Sequence, residues 1–216
     1  MPTGKRIAEL LINIGAVKLS VDPPFTLTSG IKSPIYCDTR MMYSHPDARN
    51  FVVDALVQRI RNLHIEPDVI AGTATAAIGW AALVADRLNL PFVYVRNKAK
   101  GHGTKQMVEG DLPKNKDVVL VEDMFSTAGS AMVSVEALRE EGDARVADVV
   151  AIYTHEFPSS LENAQKYGVK LHPLCTLTTL FQVAVEQGRL TADDVGIASD
   201  FARDPQNWHA NASVSS

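Results

Sequence analysis

Cysteine is scarce in this sequence. Cys37 and Cys175 stand alone in 216 residues, with neither metal-ligand spacing nor a disulfide framework. That usage fits a reducing compartment, and the cytoplasm is the expectation. No apolar run approaches transmembrane length. The apolar stretch after Lys5 and Arg6 is interrupted by Glu9 and Asn13, so it reads as an amphipathic helix, not a signal peptide. Positive charge is also short. The net charge of −4 argues against a nucleic-acid or membrane-surface partner, and anionic ligands must be met by a local basic cluster. There is no Gly-Lys-Ser/Thr phosphate loop, no G-x-G-x-x-G, no internal repeat and no low-complexity linker. What remains, 46% hydrophobic and 21% charged residues over this length, suits one α/β domain.

One stretch organises the chain. Val118-Val119-Leu120-Val121 reads as a buried parallel strand. Glu122 and Asp123 are expected to end it. Met124, Phe125, Ser126, Thr127, Ala128, Gly129 and Ser130 form a loop rich in small and hydroxyl residues, and Ala131 to Leu138 turns helical with Gly142 as its stop. Unpaired amides at a helix N-terminus favour an anion, and hydroxyls add donors. The carboxylates would repel a phosphate but suit what a phosphate can be attached to, a hydrogen-bond-donating diol or a developing ribosyl cation. Together these features describe a ribose 5-phosphate site. An ordinary strand-to-helix turn with capping hydroxyls is the plain alternative, weakened by the acidic pair.

Other segments fall into place around it. Ile7 to Val17 shows helical spacing, with Gly15 near its end. Phe25 to Asp38 alternates apolar and polar residues about Ser29-Gly30, a hairpin signal. Pro46 to Arg61 reads as a helix. Val69-Ile70-Ala71, then Gly72 to Ala77, then a helix from Ile78 to Leu88 make a second strand–loop–helix unit able to hold a second anion. Phe92 to Val95 is a strand leading into the missing positive charge, Arg96, Lys98, Lys100, His102 and Lys105, hinged by Gly101 and Gly103. A solvated surface loop is the bland reading; a lid over a polyanion is the sharper one. Met107 to Glu109 and Lys116 to Val118 flank a turn at Pro113-Lys114-Asn115. Further strands are expected at Val146 to Tyr153 and Val169 to Leu174. Helices are expected from a Ser159 or Ser160 cap to Tyr167, from Leu177 to Gln187, and after Thr191, with a frayed tail beyond. Trp80 and Trp208 read as packing residues.

The central stretch resembles the phosphoribosyl-diphosphate signature of type I phosphoribosyltransferases: apolar strand, acidic pair, two residues, then a Ser/Thr-rich glycine loop. Two further motifs narrow the resemblance to the orotate phosphoribosyltransferases. Phe25, Leu27, Ser29, Gly30, Ser33 and Pro34 match the F-x-L-x-S-G-x-x-S-P of that family's N-terminal hood. Arg96, Lys100, His102 and Gly103 match its catalytic loop, R-x-x-x-K-x-H-G.

The resemblance implies a doubly wound, mostly parallel α/β sheet with a small N-terminal hood. It places hood elements at about 1–40, a core at about 41–190 and a tail at 205–216. It implies transfer of the phosphoribosyl group to orotate, with Mg²⁺ carried on the diphosphate and no protein-held metal. Lys100, His102 and Asp123 become catalytic. Arg96, Lys100, His102 and Glu122 to Ser130 become the phosphoribosyl-diphosphate site, and Ser126 also meets orotate. A homodimer sharing the Arg96–His102 loop between subunits is implied as well. A purine phosphoribosyltransferase or a non-catalytic sensor of phosphoribosyl diphosphate are the alternatives. Four departures stand out. Ala76 and Asn97 each occupy a position where many relatives have lysine. Ala128 stands where glycine is usual, so it is expected to avoid positive φ. Thr154-His155-Glu156 stands where some relatives place an arginine, which leaves the partner of the orotate carboxylate open, with backbone amides of the hood as one candidate.

Overall fold

The computed structural model describes residues 2–20, 22–26, 31–63, 66–97 and 106–208, apart from the side chains of residues 192 and 193. Along the chain come α1 (Thr3–Asn13), β1 (Val17–Leu19), β2 (Phe25–Thr26), β3 (Lys32–Ser33), β4 (Ile35–Cys37), a 3₁₀ turn (Thr39–Ser44) and α2 (Pro46–Arg61). Then follow β5 (Val69–Thr73), α3 (Ile78–Leu88), β6 (Phe92–Val95), β7 (Val108–Glu109), β8 (Asp117–Phe125), α4 (Gly129–Gly142), β9 (Arg145–Thr154), α5 (Pro158–Tyr167), β10 (Lys170–Thr176), α6 (Leu177–Glu186) and α7 (Ala192–Arg203).

The apolar runs form a six-stranded sheet in the order β10-β9-β8-β5-β6-β7. Its strands are parallel except for β7, which folds back antiparallel on β6. Successive strand residues face opposite sides, and the helices cover both. Val119 and Val121 of β8 join a buried cluster with Trp80 and Val84 of α3 and Leu56 of α2. Val118 and Leu120 join a second cluster with Ala131, Val135 and Leu138 of α4. A fully buried side chain of this size contributes about 1.5–3 kcal/mol. Trp80 and Trp208 are both buried packing residues, as expected.

The hood consists of two small antiparallel pairs, β1 with β4 and β2 with β3. Phe25 opposes Ser33, so the chain does reverse between them; the expected tip at Ser29-Gly30 lies outside the described residues.

Several boundaries differ from the sequence reading. The helix expected over Ile7 to Val17 is Thr3–Asn13, because Gly15 at φ 73° turns the chain and Val17 enters β1. α5 is not capped by Ser159 or Ser160. Phe157 is its N-cap and Pro158 its first residue, where a missing N–H costs nothing, while Ser160 Oγ donates back to the Phe157 carbonyl at 2.7 Å. The strand from Val118 does not stop at the carboxylates but continues to Phe125, because Glu122, Met124 and Phe125 still pair with Ala151, Tyr153 and Thr154 of β9.

Candidate active site

Chain direction creates the site. From β5 the chain runs outward to β6, then returns to place β8 on the other flank of β5. The loop after β5 leads to α3 and the loop after β8 to α4, on opposite faces of the sheet. A crevice between diverging loops at the carboxyl end of a parallel sheet is where open α/β folds hold ligands.

Glu122 and Asp123 sit in that crevice, and strand alternation sends them apart. Glu122 is 3% exposed and turns to the α4 side. Its Oε1 accepts from Ser130 Oγ at 2.9 Å and its Oε2 from the Asp123 amide at 3.3 Å. The Thr73 hydroxyl at the end of β5, 3.0 Å from Ser134 Oγ, also favours the ionised form of Glu122. Burial, and then the charge of Asp123, raise the Glu122 carboxyl to about 7 against these bonds. Asp123 turns the other way, where its Oδ2 accepts from Thr39 Oγ1 at 3.0 Å. Burial raises its carboxyl too, and the Thr39 bond opposes that rise.

The phosphate-type loop follows. Ser126 and Thr127 are exposed, and Asn163 Nδ2 braces the loop by donating to the Thr127 carbonyl at 2.9 Å. Ala128 does not avoid positive φ: it adopts φ 58°, ψ 15°, as N-cap of α4. The chain must reverse sharply from strand to helix, and the buried Ala128 methyl is packed into the α4 cluster. The strain of a left-handed alanine is about 1–2 kcal/mol, small enough for that packing to hold it. Met124 and Phe125 belong to the strand, with Met124 half-buried and the Phe125 side chain in the core.

The second loop is braced from the 3₁₀ turn. Tyr43 Oη donates to the Ala76 carbonyl at 2.7 Å and accepts from the Trp80 amide at 2.9 Å, with its ring stacked on Trp80. The basic segment leaves from β6 and returns into β7. Arg96 Nη1 pairs with Glu109 Oε1 at 3.2 Å, and Glu141 on α4 accepts the amides of Met107 and Val108 at 2.6 and 3.1 Å. Lys98, Lys100, His102 and Lys105 lie outside the described residues.

Past β9, His155 is buried among Tyr153, Phe157 and Phe201, and burial lowers it to about 4. Glu156 Oε2 accepts from both the amide and the hydroxyl of Thr178 at 2.7 Å. Of the described residues here, one is a neutral imidazole in an aromatic box and another a carboxylate tied to the start of α6, and neither is a cation for an anionic base.

Comparison with known proteins identifies the architecture. The Phosphoribosyl transferase domain family matches residues 39–175. The orotate phosphoribosyltransferase of Coxiella burnetii is 41% identical, with 96% of this chain and 99% of that protein covered. That of Listeria monocytogenes is 42% identical over the same shares. The crystal structure of orotate phosphoribosyltransferase from Aeropyrum pernix superposes with a TM-score of 0.71 at 32% identity, covering 84% of this chain and 98% of that one. The chain belongs to the orotate phosphoribosyltransferase family.

Within this orotate phosphoribosyltransferase framework, Glu122, Asp123 and the 126–130 loop come together as the sequence suggested, and Arg96 stands at the end of β6, with β5 between it and the acidic pair's strand. Two contributors escaped the sequence reading. Thr39 bonds Asp123 from 84 residues away, and Tyr43 braces the second loop. No local pattern marks such residues, since hydroxyls in turns are common and only the fold brings these to the crevice.

Proposed function

We infer that the protein transfers the 5-phosphoribosyl group from phosphoribosyl diphosphate to orotate, giving orotidine 5′-phosphate and pyrophosphate in pyrimidine nucleotide synthesis. The observation that carries this is the acidic pair between two strand-exit loops at the sheet's switch point, in a chain of this family.

Breaking the anomeric C–O bond leaves positive charge on the ribose ring and negative charge on the departing diphosphate. Asp123 and Glu122 are proposed to hold the 2′- and 3′-hydroxyls and to favour the cationic ring. A carboxyl poised near neutrality, as Glu122 is, gains charge readily when a cation develops beside it. Residues 126 to 130 hold the 5′-phosphate, with Ser126 also meeting orotate. Arg96, Lys100 and His102 neutralise the diphosphate, and Lys100 or His102 protonates it. For Arg96 this means exchanging its Glu109 partner for the diphosphate.

Mg²⁺ is proposed to arrive on the diphosphate. The chemistry fits, because this ion keeps mostly substrate oxygens and water as ligands, and a diphosphate supplies such oxygens. When bound, it adds positive charge at the leaving group. A two-fold dimer sharing the basic loop between subunits, working in the cytoplasm, completes the proposal. No helix among the described residues is long and apolar enough to cross a membrane.

Incubation with phosphoribosyl diphosphate, Mg²⁺ and a mixture of orotate, hypoxanthine and adenine tests the reading. Loss of orotate absorbance with both purines untouched is expected. Preferential purine consumption would make it a purine enzyme, and no turnover of any base a sensor.

A further inference from the structure

The Thr39 hydroxyl lies outside the strand–loop–helix unit that carries the phosphoribosyl chemistry, yet it reaches Asp123 Oδ2 at 3.0 Å across 84 residues of chain. Thr39 is fully buried, so no water competes for its hydroxyl. Its turn is held on both sides. The Asp38 amide donates to the Ala16 carbonyl at 2.8 Å. The Asp38 carboxylate accepts the Arg40 amide at 3.1 Å and grips the Arg40 guanidinium at 2.7 and 2.8 Å. Asp123 is equally fixed, in a strand whose neighbouring residues Glu122 and Met124 pair with β9. Two rigid elements therefore meet through one hydroxyl–carboxylate bond, and a charge-assisted bond of this kind is among the stronger ones.

We propose that Thr39 is a positioning residue for the transfer reaction, its hydroxyl fixing the orientation of the Asp123 carboxylate toward the ribose. The proposal rests on the reading that Asp123 holds the ribose hydroxyls. It explains how a flexible acid is aimed without a second side chain from its own motif. The donated bond also favours the ionised acid, working against burial. The other titratable groups facing Asp123 among the described residues are Glu122 on its own strand, Arg40 and Tyr43 from the turn, and Cys37 from β4.

Thr39→Val removes the hydroxyl at nearly constant volume, Thr39→Ala removes it with a methyl as well, and Thr39→Ser keeps it. Both hydroxyl-free variants should lower kcat/KM for phosphoribosyl diphosphate about 10-fold. Their acid limb should move to higher pH, since an acid that has lost a donor ionises later. Thr39→Ser should stay near the parent in both. The Asp123 carboxyl, followed by ¹³C NMR in ligand-free protein and assigned with Asp123→Asn, should titrate at higher pH in the hydroxyl-free variants. This readout needs no turnover, so it separates a failure of this proposal from a failure of the orotate reading. An Asp123 titration unmoved in both variants, or a Thr39→Ser enzyme as impaired as Thr39→Val, overturns the proposal.

Discussion

At the residue scale, two neighbouring carboxyls meet different surroundings because strand alternation points them to opposite faces. Glu122 is the more deeply buried, and its carboxyl rises from an ordinary 4.5 to about 7. A carboxyl raised on folding stabilises the protein fully below its unfolded value, and that stability is lost as pH rises through the folded value. Between pH 5 and pH 8 the parent should therefore lose on the order of 3 kcal/mol relative to Glu122→Gln. Urea unfolding of both proteins at the two pH values measures this, and parallel pH profiles would count against a buried Glu122. His155 carries the opposite sign. Lowered to about 4, it contributes stability above the ordinary imidazole range that is lost as pH falls through that value. Ala128 offers a steric test. Its left-handed backbone tolerates alanine, but a β-branched side chain there should cost about 2 kcal/mol or more and impair phosphoribosyl binding. Ala128→Val with parental melting and KM would argue against that geometry.

At the element scale, the loops work because rigid pieces brace them. Tyr43→Phe removes both hydrogen bonds that tie the 3₁₀ turn to the second loop. The expected outcome is a loss of about 1–3 kcal/mol in stability and a raised KM for phosphoribosyl diphosphate with kcat largely kept. An unchanged KM would argue against a second anion site at that loop. Local pattern made many elements legible. α2, α3 and β6 run as read, because Pro46 opens one, apolar spacing marks another and a β-branched and aromatic run fills the third. The reading failed where tertiary pairing overrides local preference. Acidic residues look like a strand end, yet the β9 ladder carries β8 past them. Alanine looks incompatible with a left-handed turn, yet packing holds it there. The site was legible where it follows one strand–loop–helix unit and illegible where Thr39 and Tyr43 come in from the hood turn.

At the scale of the whole molecule, the claim is that two surfaces cooperate, an acidic crevice at the switch point and a basic loop from β6. Mixing Lys100→Ala with Asp123→Asn after dissociation and reassociation tests whether the loop crosses between subunits. If it does, each mixed dimer regains one intact site, so about a quarter of all sites recover under random pairing. No recovery, with mixed dimers verified by native mass spectrometry, would place the loop in its own subunit's site. The central claim, that Asp123 stands at the reacting ribose, is tested most directly by orotate-dependent pyrophosphate release in the parent and in Asp123→Asn at matched thermal stability. The account predicts one pyrophosphate per orotidine 5′-phosphate in the parent and a fall of about 100-fold or more in the variant. A folded Asp123→Asn protein releasing pyrophosphate at the parental rate would contradict it.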